Sequence, residues 1–163
     1  MFEKITSLDE LRKAYRAAAM KAHPDHGGNT EAMQAVNAAY EIRFNQLKNE
    51  QNRRADADPT GKTRRVNETP EQFRAVLEAL LKIDGIIIEL CGSWIWVSGD
   101  TRSHKDEIKS AGCWWAKQKK MWYWRAPEDA HHGRSTSTMK HIRSKYGSER
   151  ITSDGRNPDT LPA

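Results

Sequence analysis

The chain has 163 residues, 37% hydrophobic and 30% charged, with a mean hydropathy of −0.88. Such a composition argues against one large apolar core and for two small modules joined by a polar segment. No apolar run approaches the roughly 20 residues that cross a bilayer. No basic stretch followed by an apolar one opens the chain, so no secretory leader is expected. Cys91 and Cys113 are the only cysteines, too few for a disulfide framework, and a cytoplasmic protein with no membrane partner is the expectation. The 27 basic and 22 acidic residues leave a net charge of +5, compatible with a polyanion partner without requiring one. Where the charge sits is more informative. Residues 1–50 carry seven side chains of each sign, whereas residues 86–125 carry seven basic and four acidic ones together with all six tryptophans.

In chain order, residues 7–22 read as an amphipathic helix. Ser7 and Glu10 have capping-box spacing, and Leu8, Leu11, Tyr15, Ala18 and Ala22 recur at three- and four-residue steps. Arg12, Lys13 and Arg16 are placed on the opposite side, with Lys21 further round. Pro24 ends the helix, because proline disfavours α geometry in the residue before it. A loop follows, His23-Pro24-Asp25-His26-Gly27-Gly28-Asn29, and then a second helix from near Thr30 with the seam Met33, Val36, Tyr40, Phe44, Leu47. Two such seams joined by a short loop imply an antiparallel helix pair.

Residues 49–68 are polar and basic, with Pro59 and Gly61, and read as a linker whose start extends the helix at most in frayed form. Thr69, Pro70 and Gln72 open a third helix, Phe73, Val76, Leu77, Leu80 and Leu81 form its apolar face, and Gly85 stops it. Residues 86–91 and 94–98 read as two strands around a Gly92-Ser93 turn. A short helix is expected from Asp100 or Thr101 through Ser110, packed through Ile108 and Ala111. Residues 113–116 and 121–125 supply two more strands around the basic turn Lys117-Gln118-Lys119-Lys120. Residues 127–163 read as a polar, largely disordered tail with one short helix at 137–146.

The histidine-proline-aspartate tripeptide means little alone and more in its setting, between a helix with basic residues and a glycine-bearing loop that leads into a second helix. Together with Lys13-Ala14-Tyr15-Arg16, Ala19-Met20-Lys21 and Asn37-Ala38-Ala39-Tyr40-Glu41, it resembles the J domain of the DnaJ family over about residues 1–48. The resemblance implies a co-chaperone that stimulates the ATPase of a DnaK-type partner and hydrolyses nothing itself. His23, Pro24 and Asp25 would engage that partner, with Arg12, Lys13, Arg16 and Lys21 steering onto an acidic surface. Physically, Asp25 would be free at the loop tip for a charge-assisted hydrogen bond, Pro24 would stiffen the turn, and His23 would orient it through the backbone. The chain departs from the family's pattern at Ala17, Ala18 and Ala22, where bulkier residues are usual. It has no match to the fourth helix after Phe44 and only a very short first helix near residues 2–5. A trimmed J domain with a thinner helix interface is the expectation.

The tryptophan-rich segment reads as a β-β-α-β-β unit, which makes the chain α+β: an antiparallel helical hairpin (1–48), a linker (49–68), a helix with the β-β-α-β-β module (69–126) and a tail (127–163). Alternation puts Trp94 and Trp96 on one face and pairs Trp122 with Trp124. Some of these rings are expected in the core. Others, beside Lys117, Lys119, Lys120 and Arg125, would form a surface for single-stranded nucleic acid or for a protein client. Gly112-Cys113-Trp114-Trp115 followed by Lys120-Met121-Trp122-Tyr123 loosely resembles HARP-type modules attached to DNA-remodelling helicases. A J domain with such a tail is similar to small chaperone-like proteins of bacteria and their mobile elements. A nucleic-acid-binding accessory protein is therefore the alternative to a co-chaperone targeted by its C-terminal module. His104, His131, His132, His141 and the cysteines match no metal-ligand spacing, Gly27-Gly28 follows no strand, and Cys113 has no recognisable base partner. No metal, cofactor or catalytic residue is expected.

Overall fold

The computed structural model describes residues 1–126 and 137–152. The chain divides into two compact units, Met1–Arg74 and Ala75–Ala163, and the division falls inside the third helix.

In the first unit, helix α1 (Leu8–Ala22) begins with the Ser7 hydroxyl accepting from the Glu10 N–H at 3.2 Å. Helix α2 (Thr30–Ala57) begins with Asn29 Oδ1 accepting from the Ala32 N–H at 2.8 Å. Each cap satisfies a donor that the helix cannot reach. The expected seam of Met33, Val36, Tyr40, Phe44 and Leu47 is buried, opposite Leu8, Leu11, Tyr15 and Ala19 of α1. Tyr15 and Tyr40 stack with ring centroids 4.2 Å apart, and the Tyr15 hydroxyl donates to Asn37 Oδ1 at 2.8 Å. The chain ahead of α1 makes a single turn rather than a helix, with Ile5 N–H donating to the Phe2 carbonyl at 3.2 Å. Phe2 is buried, and Arg43 Nε donates to the Ile5 carbonyl at 3.0 Å.

The linker expected over 49–68 takes a different form. Helix α2 absorbs its first part, through Ala57. Asp58 then caps the turn by accepting from the hydroxyls and backbone N–H groups of Thr60 and Thr63, and these bonds hold its carboxyl far below the usual range. The chain returns along α2 as an ordered strap. Gln51 Nε2 donates to the Arg64 carbonyl at 2.9 Å, Lys48 Nζ donates to the Glu68 carbonyl at 2.8 Å, and the Asn52 amide exchanges two hydrogen bonds with the Val66 backbone. A polar composition reads as a spacer, yet backbone groups that find side-chain partners fix a segment equally well.

Helix α3 (Pro70–Leu81) opens with the expected capping arrangement, Thr69 N–H donating to Gln72 Oε1 at 2.9 Å. Its first turn belongs to the first unit. Phe73 is fully buried there, 6.3 Å from the Tyr15 ring and 6.2 Å from the Tyr40 ring, and Arg74 pairs with Glu41.

The second unit holds one antiparallel sheet of β1 (Ile86–Cys91), β2 (Trp94–Gly99), β3 (Trp114–Ala116), β4 (Met121–Trp124) and β5 (Glu149–Thr152), in the order β3-β4-β2-β1-β5. Helices α4 (Lys105–Ser110) and α5 (Met139–Tyr146) complete the described elements. The expected β-β-α-β-β order is present with two corrections. The helix between the hairpins starts at Lys105, because the residues at 100–101 are tied into turns: Asp100 N–H bonds the Gly85 carbonyl at 3.0 Å and Thr101 N–H the Gly99 carbonyl at 2.8 Å. The region expected to be a disordered tail supplies β5, which pairs with β1 from Ile87 opposite Thr152 to Leu90 opposite Glu149, and α5, where the short helix was expected. The remainder of that tail, 127–136 and 153–163, lies outside the described residues.

Register sorts the strands into two faces. Ile86, Ile88 and Leu90 share one face with Ile95 and Val97, and all five are fully buried, as are Leu77, Leu80, Leu81 and Ile108. Glu89 and Cys91 share the other face with Trp94, Trp96, Tyr123 and Trp114.

Candidate functional site

The loop between α1 and α2 is a 3-10 turn, Pro24–His26, held from both ends. Proline pre-sets the first dihedral, and His23 supplies the frame. Its Nδ1 accepts from the Asp25 N–H at 3.2 Å, and its carbonyl accepts from His26 and Gly28 N–H, each at 3.0 Å. His23 is buried, whereas 59% of the Asp25 side chain is exposed. Gly27 has φ +89°, and a Cβ on Gly28 would stand 2.1 Å from the Ala22 carbonyl oxygen. The sequence marked Gly28 only as part of a loop; the closeness of its backbone to α1 is what requires glycine. The result is a stiff tip that offers one carboxylate to a cation of a partner.

The cationic face expected beside this loop is reduced. Arg12 and Arg16 are buried, not displayed. Arg12 donates to Glu68 Oε1 at 2.5 Å and to Asp9 Oδ1 at 2.8 Å, and its guanidinium lies 5.9 Å from the ring centres of Phe44 and Phe73. Burial disfavours its charge, but the charge of Glu68 and the hydrogen bond to it outweigh that, so its pKa rises above the ordinary value. Arginines four residues apart on a helix with an apolar seam read as solvated, but here the Glu68–Phe73 segment covers Arg12. Lys13, half-buried, and Lys21, exposed, are the remaining cations of the expected set that solvent reaches.

On the second unit the aromatic residues expected to form one surface are divided between two faces. Trp122 lies with Val97, and Trp124 with Ile95, on the face of the buried aliphatic residues, and Trp124 is itself buried. Trp94 and Trp96 lie on the other face with Tyr123 and Trp114, in a run of rings across β2, β4 and β3. Centroid separations are 5.8 Å for Trp94–Trp96, 5.6 Å for Trp94–Tyr123, 5.5 Å for Trp96–Tyr123 and 5.8 Å for Trp114–Tyr123. Lys119 Nζ sits 5.7 Å from the Trp96 ring centre and the Arg125 guanidinium 5.8 Å from that of Trp94. Trp96 is buried in a cluster with Cys91 and Met121, against which Met139 and Ile142 of α5 pack. At the sheet edge the exposure reverses: Trp114 is 48% exposed and Trp115, on the opposite face, 47%. Trp114 was outside the expected set, although its place in an edge strand next to a basic turn was the available signal. Lys117 and Lys120 are exposed.

Beneath α5 the same face buries a charge. Glu89 is fully buried and accepts from Arg143 Nε at 2.6 Å, Arg143 Nη2 at 3.0 Å and the Ser148 hydroxyl at 2.5 Å. Burial pushes its pKa up, but these bonds and the charges of Arg143 and Arg150 prevail and leave it below the ordinary value. A single carboxylate within Ile-Ile-Ile-Glu-Leu-Cys was a readable sign of a buried partner. Burial pushes the thiols of Cys91 and Cys113 up to about 12, so neither is a thiolate nucleophile near neutral pH. Among the described residues no three histidine, cysteine or carboxylate side chains gather as a metal set, and no helix is long and apolar enough to cross a membrane. His131 and His132 lie outside the described residues.

Residues 2–55 match the family model of the DnaJ domain. Over 39 residues the chain is 54% identical to the chaperone protein dnaJ A6 of Oryza sativa subsp. japonica and 51% identical to a DnaJ protein homolog of Cucumis sativus, stretches covering 24% of this chain and 9% of each relative. Over 53 residues it is 47% identical to the tetratricopeptide repeat and J domain-containing co-chaperone DNJ1 of Cryptococcus neoformans var. grubii, covering 31% of this chain and 10% of that one. The chain spans about a tenth of the length of these relatives. They are plant and fungal and match the N-terminal region, so they lend no support to a bacterial or mobile-element source or to a nucleic-acid role. No solved structure matches the chain.

Proposed function

We propose, from the match of residues 2–55 to the DnaJ domain, that the protein is a co-chaperone which stimulates the ATPase of a DnaK-type chaperone. The observation that carries the reading is the exposed Asp25 carboxylate on a turn whose backbone is held by the buried His23. A stiff tip loses little entropy on docking, so the charge-assisted bond to a partner cation contributes most of its strength to binding. Lys13 and Lys21 supply the long-range attraction, and the second unit chooses where the chaperone acts. The chain itself hydrolyses nothing and works in the cytoplasm.

The test is single-turnover ATP hydrolysis by a DnaK-type ATPase with and without this protein. Wild type should accelerate hydrolysis. Asp25→Asn should abolish the acceleration while leaving the far-ultraviolet helical signal unchanged, because the side chain is exposed and outside the core. An Asp25→Asn protein that stimulates normally would end this reading.

A further inference from the structure

The second unit presents a half-exposed row of aromatic rings beside cations, and the first unit's proposed role does not use it. From the unburied end of this row we infer that it binds single-stranded nucleic acid, with the exposed Trp114 as the stacking platform, Tyr123 and Trp94 backing it within the row, and Lys117, Lys119, Lys120 and Arg125 meeting the phosphates. The inference is independent of the co-chaperone reading.

Three observations converge on this occupant. First, the rings lie on one sheet face, and neighbouring centroids along Trp114, Tyr123 and Trp94 are 5.6–5.8 Å apart. The row ends in Trp114, 48% exposed on the edge strand β3, whereas Met139 and Ile142 of α5 pack on the cluster of Cys91, Trp96 and Met121. Unpaired bases can stack on such rings, whereas a duplex keeps its base faces closed. Second, residues 112–126 contain four cations and no acidic residue. Two of those cations already lie over rings of this row, Lys119 on Trp96 and Arg125 on Trp94, so positive charge is held against the aromatic row itself. An apolar protein client would not need that charge. Third, β3 is only three residues long and stands at the sheet edge, so a strand of nucleic acid can approach from beyond it. Aromatic stacking and phosphate neutralisation do not read base identity, so binding should be tolerant of sequence.

The site differs from the one expected from the sequence. Trp96 and Trp124 are too buried to stack a base, and Trp122 faces the other way. Trp114 takes their place.

The experiment is titration of the full chain with dodecamers of oligo(dT) and oligo(rU), followed by tryptophan emission, with a duplex of the same length as control. Quenching by either single strand at low salt, with weaker binding of the duplex, is the expected result, and the ratio of the two strands shows which sugar is preferred. Trp114→Ala should weaken binding by roughly 5- to 150-fold, the range of one lost base stack, with the near-ultraviolet circular dichroism of the remaining tryptophans retained. Changing Lys117, Lys119 and Lys120 together to Ala should flatten the plot of log affinity against log salt by about 0.7 per lost phosphate contact. Asp25→Asn should bind the oligonucleotides as wild type does, which separates failure here from failure of the co-chaperone reading. No quenching at micromolar strand, equal binding of the duplex, or an unchanged affinity in Trp114→Ala would each overturn the assignment and leave a protein client as the occupant of the face.

Discussion

Each unit is closed by a segment that returns from more than fifty residues away, and each closure carries an ion pair, but the two pairs are sealed differently. In the first unit Glu68 meets Arg12 across 56 positions, and both side chains are nearly inaccessible, at 5% and 4%. In the second, Arg143 meets Glu89 across 54 positions, and while the carboxylate is fully buried the arginine is 37% exposed. The first pair is symmetric: whichever partner is lost, the other remains charged and dry. The second is lopsided, because Arg143 can turn to water and Glu89 cannot. A buried pair is therefore not one kind of fastening, and the identity of its dry member decides where the fold is vulnerable.

The comparison can be broken most decisively in the first unit. Glu68→Ala leaves Arg12 buried with Asp9 as its remaining carboxylate and should cost about 3 kcal/mol, the lower end of the usual penalty for breaking a buried pair, and Arg12→Met in the same background should restore much of it. All six tryptophans lie between residues 94 and 124, so their emission follows the second unit alone, while loss of helical dichroism reports mainly α1 and α2. Denaturant unfolding followed by both signals should show the helical transition moving first. A Glu68→Ala protein whose two transitions match wild type would mean the pair contributes nothing.

Next in size is the asymmetry within the second unit. Arg143→Ala leaves Glu89 dry with fewer partners and should cost about 1–3 kcal/mol. Glu89→Gln leaves a hydratable arginine and should cost less. Equal losses, read from the tryptophan transition, would erase the distinction between the two closures.

A pH series sharpens the same point. The pKa of Glu89 is lower in the fold than its ordinary 4.5. Its contribution is therefore complete above that ordinary value and is lost as pH falls through the lower, folded one. Wild type should lose stability in the tryptophan transition below about pH 4.5 more steeply than Glu89→Gln, which lacks the titrating group. Parallel profiles would remove Glu89 from the account.

The smallest effect concerns the exposed charges. Lys13→Glu with Lys21→Glu should leave stability within about 1 kcal/mol and weaken ATPase stimulation mainly at low salt, since exposed charges are screened. Arg16→Glu is expected to unfold the first unit, because Arg16 is fully buried. Stimulation by the double lysine variant that is equally impaired at all salt concentrations would argue against steering.

What the sequence disclosed was local. The caps at Ser7 and Thr69, the seam from Met33 to Leu47 and the β1–β2 hairpin are short-range patterns, and each is present. The His23-Pro24-Asp25 turn was legible for the same reason. Partnerships across long separations were not. Nothing near Arg12 announces Glu68, and the four residues Glu-Arg-Ile-Thr of β5 carry no alternation strong enough to mark a strand. The face of Trp122 and Trp124 was hidden because alternation pairs residues within a strand, while only the pairing of Val97 with Trp122 and of Ile95 with Trp124 fixes which side they share.

Strand β1 pairs on both sides, with β2 through a tight turn and with β5 from almost the end of the described chain. During synthesis this becomes a matter of timing. At roughly 5–20 residues per second, the interval between emergence of Cys91 and of Thr152 is about 3–12 s. Over that interval one edge of the Ile-Ile-Ile-Glu-Leu-Cys strand stays unpaired, an open template for other nascent chains. All the residues of the first unit, Asp25 included, have been made by then. Under the co-chaperone reading, the growing polypeptide carries a finished signal for summoning a chaperone at the time its own sheet is least protected.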